Sequence, residues 1–145
     1  MRPTLLILPF LCLAVLIPKS APAEEAAPEA GTARDIILKA DKACNEKRHE
    51  EAVAGYQKFL DDFGTSPEAK PLLPHVRYNL VAALMQTQKF GPAVEAIEEA
   101  RKIPEITPDK QENLSFWLGV SLMQTGETVK AREALGQLQH DRMTA

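Results

Sequence analysis

Leu84-Met85-Gln86-Thr87 and Leu122-Met123-Gln124-Thr125 are one four-residue phrase written twice, at an interval of 38 (from 84 to 122). Each copy closes a stretch whose apolar residues recur at helical spacing. A short turn and a second such stretch follow, and the second stretch holds an alanine. That alanine is Ala93 after the first copy and Ala131 after the second, the same interval again. Self-similarity at a fixed period of this size is the mark of a helical repeat array.

Working outward, the period extends upstream in weaker form. Ala40, Val81 and Gly119 precede Ala52, Ala93 and Ala131 by the same interval, twelve in each case. Small side chains at such paired positions let two helix axes approach to about 8–10 Å where they cross. Tyr56, Ile97 and Leu135, four positions further on, then fill the space beside the crossing. The periodicity predicts six helices, over about 32–46, 49–63, 71 or 74 to 87, 91–102, 109–125 and 127–139. Thr32 is expected as the first N-cap, with Asp35 completing a capping-box-like pair. Gly64 and Gly126 read as helix stops, and Thr65-Ser66-Pro67 as a break. No window alternates with period two, so the expected class is all-α, with no sheet: three antiparallel helix-turn-helix hairpins. Each hairpin leaves a face that its neighbour must cover, so about three units are needed for stability.

The first residues read differently. A positive charge at Arg2 is followed by an apolar run from Thr4 to Ile17, then Pro18 and the small-x-small site Ala21-Pro22-Ala23. This order is that of a secretory signal peptide over 1–23. As a helix the run would span about 21 Å, short of a hydrocarbon core of about 30 Å, and the alternative is an anchor that is kept. Leu11 before Cys12 is not the small residue that lipid attachment needs. Residues 24–32, rich in Ala, Glu and Pro, are expected as a flexible spacer, 33–139 as the repeat domain and 140–145 as a disordered tail. Removal of 1–23 leaves 15 basic against 20 acidic residues, a balance with no electrostatic reason to bind nucleic acid. Cys44 is then the remaining cysteine, so no internal disulfide can form and the core alone must stabilise the fold.

The residues Tyr78-Asn79-Leu80-Val81-Ala82-Ala83-Leu84, Lys89-Phe90-Gly91-Pro92-Ala93 and Pro104 resemble a tetratricopeptide repeat. Trp117-Leu118-Gly119, with Leu122, Gly126 and Ala131, resembles a second, and Ala40, Ala52 and Tyr56 a weaker first. Lys39 stands where that family has leucine, Phe59 where it prefers alanine, and intervals of 41 and 38 exceed the usual 34. The repeats would cover about 33–66, 74–107 and 112–139. Long intervals and the phrase Phe59-Leu60-Asp61-Asp62-Phe63-Gly64 look like the exported, envelope branch of the family.

The resemblance implies a short right-handed solenoid whose first helices line a concave groove for a peptide or a partner helix. Carried onto this chain, Arg34, Ile37, Asp41, Cys44 and Asn45 form one wall, Tyr78, Ala82, Met85 and Gln86 the second, and Asn113, Phe116, Val120, Met123 and Gln124 the third. Amides on such walls can pair with a peptide backbone, and methionine adapts to varied side chains. The expectation is an exported, periplasmic or secreted adaptor that binds protein and is not an enzyme. The alternative is a self-assembling subunit or a piece of a longer array. No cofactor or metal is expected: His49, His75 and His140 lack ligand spacing, Glu98-Glu99 and Asp61-Asp62 read as solvated helix faces, and there is no phosphate loop or nucleophile elbow.

Overall fold

The structure is a computed structural model that describes residues 30–144. The expected signal peptide (1–23) and most of the expected spacer lie outside them. The described chain is all-α: helices α1 (Ala30–Asn45), α2 (His49–Phe63), α3 (Leu73–Gln86), α4 (Phe90–Arg101), α5 (Pro108–Gln124) and α6 (Thr128–Thr144), with a 3-10 helix at Pro67–Leu72. Among the described residues there is no strand. Each helix packs against the next along the chain, and α3 also touches α5.

Three turns of the same construction join α1 to α2, α3 to α4 and α5 to α6. In each, one residue takes a left-handed conformation: Lys47 (φ 61°), Gln88 (φ 55°) and Gly126 (φ 86°). The amide of the following residue reaches back five positions, from Arg48 to the Ala43 carbonyl (2.8 Å), Lys89 to Leu84 (3.0 Å) and Glu127 to Leu122 (2.8 Å). The left-handed residue itself bonds three positions back, to Cys44, Met85 and Met123. This is the Schellman arrangement, which satisfies carbonyls that a helix end would otherwise leave unpaired. The repeated Leu-Met-Gln-Thr is therefore the last helical turn before that stop. Its threonines return a hydroxyl to the helix, Thr87 to the Ala83 and Leu84 carbonyls and Thr125 to that of Leu122.

The helix crossings lie where the small residues predict. Ala40, Val81, Ala52, Ala93 and Ala131 are buried, with Tyr56 and Ile97 fully enclosed beside them. A methyl group at Gly119 would lie 2.4 Å from Cγ of Leu135, and one at Gly55 2.8 Å from Cβ of Ala40. Both glycines sit where two helices touch, with no room for a side chain.

Lys39, the departure from the repeat pattern, has a physical reason. Asp35, Lys39 and Lys42 occupy the positions held in the next hairpin by Val76, Leu80 and Ala83, and in the third by Leu114, Leu118 and Ser121. The later six are buried because each of those hairpins meets the one before it, whereas the three α1 residues are exposed.

Three boundaries differ from expectation. Thr32 is not an N-cap, because Ala30 and Gly31 already belong to α1; extending an existing helix costs little. The stretch before α3 is a 3-10 helix capped by Ser66, whose hydroxyl accepts from the Ala69 amide (3.2 Å), and Ala69 is buried. The expected disordered tail is helical to Thr144, and Arg142 there pairs with Glu112 of α5 at 2.9 Å.

Left-handed backbone costs a side-chain-bearing residue about 1 kcal/mol. Gln88→Gly is therefore expected to stabilise the domain by about 0.5–1 kcal/mol, and Gly126→Ala to destabilise it by a similar amount. Urea denaturation followed by circular dichroism checks both; equal midpoints for all three proteins would contradict the turn assignment.

Candidate partner-binding surface

The first helices of the three hairpins, α1, α3 and α5, carry the candidate residues. Between α1 and α3 lies a polar cluster centred on Asp41. Its carboxylate accepts from the Tyr56 hydroxyl (2.5 Å), from Nε2 of His75 (3.0 Å) and from Nδ2 of Asn79 (3.5 Å). Tyr56 is fully enclosed in the core, so its hydroxyl needs this acceptor. Burial, reinforced by the bond to Asp41, pushes the phenol far above its usual range.

The equivalent seam between α3 and α5 is aromatic. The Tyr78 ring lies 5.5 Å from that of Trp117, tilted by 35°. Nζ of Lys110 stands 4.7 Å from the Tyr78 ring centre, close enough for a cation–π contact. Nδ2 of Asn113 donates to the Tyr78 hydroxyl (3.2 Å). Further along, the hydroxyl of buried Ser121 donates to Sδ of Met85 (3.2 Å).

These contacts sort the expected groove residues. Ile37 is only 7% exposed and belongs to the core, because it sits on the apolar stripe with Ala33 and Ala40. The expected groove position at Ile37 is therefore buried. Asp41, Cys44, Tyr78, Ala82, Met85 and Val120 are half-buried. Of these, Asp41, Tyr78 and Met85 are engaged by the next hairpin. Arg34, Asn45, Gln86, Asn113, Phe116, Met123 and Gln124 are exposed. Phe116 and Met123 match Tyr78 and Met85 by position, yet stand 51% and 56% exposed.

His75, Asn79 and Lys110 are not among the expected groove residues. His75 and Asn79 are nevertheless legible as a pair, since Asn113 and Trp117 stand one repeat interval after them and perform the same bridging in the next seam.

The exposed amides form one set. Asn45, Gln86 and Gln124 are separated by the same two intervals as the left-handed turn residues, and each is the last residue of its helix. Among the described residues no three His, Cys, Asp or Glu side chains converge to hold a metal ion, and no helix is long and apolar enough to cross a membrane. No family model, curated protein or solved structure matches the chain.

The Tyr56 phenol sets a pH dependence. Its ionisation is harder in the folded chain than in the unfolded one, so its contribution is complete below the ordinary phenol value of about 10 and declines as pH rises beyond it. Tyr56→Phe is expected to cost about 1.5–3 kcal/mol at neutral pH, the worth of a bond to a charged acceptor. That difference should narrow above pH about 10, as measured by urea midpoints from pH 7 to 11. A constant difference across the range would contradict it.

Proposed function

We propose that this chain is an exported adaptor of the tetratricopeptide-repeat type, with its three hairpins stacked as a short right-handed solenoid. It has no catalytic role in this reading and binds an extended peptide or a partner helix across its first helices. The observation that carries the reading is the set of exposed amides, Asn45, Gln86 and Gln124, one per hairpin at one structural position. A primary amide both donates and accepts, so it can pair with a backbone peptide group whatever the side chain beside it. Repeating such a group at a fixed interval favours a ligand that is itself periodic.

Exposed polar residues at the ends of helices are ordinarily free to vary in character. Here the three first helices all end in Asn or Gln, while the second helices α2 and α4 end in Phe63 and Arg101. The neighbouring seams add rigidity. Asp41 and Tyr78 are held by hydrogen bonds from the following hairpin, so the surface beside the amides is preorganised and loses little freedom on binding.

A photo-reactive side chain at Gln86, in the native host, is expected to give a discrete adduct with a partner protein. Changing Asn45 and Gln124 to alanine should reduce that adduct at least about fivefold, with the helical signal and the urea midpoint unchanged. An adduct of full intensity would remove the amides from the binding surface.

Export is tested on the mature protein itself. N-terminal sequencing is expected to read Glu24 first, after cleavage at Ala23. A chain that retains Met1 or Arg2 in the host would contradict the signal-peptide reading.

A further inference from the structure

Twice in this fold a first helix is seated against the hairpin before it. Helix α3 presents Val76, Leu80 and Ala83 to α1 and α2, and α5 presents Leu114, Leu118 and Ser121 to α3 and α4, all buried. In the hairpin before, Cys44, Val53 and Tyr56 in the first case and Met85, Val94 and Ile97 in the second belong to the core or pack against it. The third hairpin carries the corresponding positions as Met123, Arg132 and Leu135. These line an open cleft of about 450 Å³ between α5 and α6. Phe116, on the same helix as Met123, is also exposed, at the position where Tyr78 meets Trp117 in the seam before.

One substitution separates this cleft from the other two. Arg132 stands where they have Val53 and Val94. It is exposed, and among the described residues no carboxylate lines the cleft to neutralise it.

We propose that the cleft between α5 and α6 receives an amphipathic α-helix of a partner protein, seated as α3 and α5 are, with a carboxylate of that helix paired to Arg132. This is a second surface, separate from the row of amides. The geometry of the seat is one the fold already uses twice, and the charge on it selects the occupant. An arginine brought into a helix interface without a partner loses its hydration and gains nothing in return. A helix with an apolar stripe and a flanking acidic residue meets both conditions.

A second copy of the chain does not supply the apolar stripe. Among the described helices α1 is the one left to be seated in an end-to-end stack, and it offers Asp35, Lys39 and Lys42 where α3 and α5 offer buried residues. Pairing cleft to cleft would instead enclose two copies of Arg132 with no carboxylate from either.

The test uses two fluorescein-labelled helical peptides of roughly sixteen residues, with leucines at i, i+4, i+7 and i+11. Glutamates flank the leucines in one, lysines in the other. Fluorescence polarisation against the full mature chain is expected to show binding of the glutamate peptide and at least about tenfold weaker binding of the lysine peptide. Arg132→Glu should invert that preference. Met123→Glu, at an exposed position, should abolish binding of the glutamate peptide without changing the helical signal.

Absence of binding by the glutamate peptide would overturn the proposal, as would a preference that Arg132→Glu leaves in place. A dimer in native mass spectrometry that Met123→Glu dissolves would assign the cleft to a second copy instead. Binding that is lost on changing Asn45, Gln86 and Gln124 to alanine, but kept in Met123→Glu, would place the helix on the amide face and also overturn it.

Discussion

Where the two helices of a hairpin cross, the second helix has space for a methyl group and little else. Ala52 and Ala93 are fully buried and Ala131 nearly so, and a methyl placed on Gly119 would overlap Leu135. Close approach at these points sets the distance between the helices, and that distance determines what can lie beside them. Tyr56 and Ile97 fill the space next to the first two crossings. Because Tyr56 is both large and polar, its hydroxyl must emerge where an acceptor waits, and Asp41 is that acceptor. The polar seam between the first two hairpins thus follows from a packing requirement at Ala52.

The same reasoning explains which features the sequence reveals. Crossing residues answer to their own hairpin, so their spacing is strict, and most helix boundaries fall close to where the periodicity puts them. The left-handed turn at Gly126 announces itself, while those at Lys47 and Gln88 do not, since neither residue type is chosen for positive φ. Exposure on the first helices is harder to read, because it depends on the neighbouring hairpin. Tyr78 and Phe116 are one position in sequence terms, yet Trp117 and Lys110 meet the first and the second is half open to solvent. Met85 and Met123 divide in the same way. Ile37 is buried for a related reason: its apolar character is that of the stripe it shares with Ala33 and Ala40. The helical tail after His140 carries the Arg142–Glu112 pair, which joins two different helices and which no local pattern discloses.

Charge marks the difference between the outer faces. On α1, Asp35, Lys39 and Lys42 replace residues that are buried elsewhere, and three charges there make solvent the favoured neighbour. The far face keeps Phe116, Val120, Met123 and Leu135 and adds one charge, Arg132. Fully burying a residue the size of Phe or Met is worth about 1.5–3 kcal/mol, so this half-exposed pair together forgoes about that much. Such exposure is informative at Met123, which lines the cleft.

A repeat array has a property that a single compact core lacks: the surface it offers a ligand and the surface it offers its neighbour are the same kind of surface. Seating α3 against α1 and α2 is already recognition of one amphipathic helix by two others, and only the covalent connection makes it folding. The connection supplies effective concentration, so an internal seat can be wholly apolar and still be occupied by the right helix. A seat for a helix on another chain has no such help and must select its occupant. An apolar cleft alone would accept any amphipathic helix, whereas a single arginine in place of valine penalises every occupant that lacks an acid at that point. Arg132 weakens a wrongly filled cleft and leaves the correct complex intact, which is how specificity is obtained from a surface whose shape folding has already set.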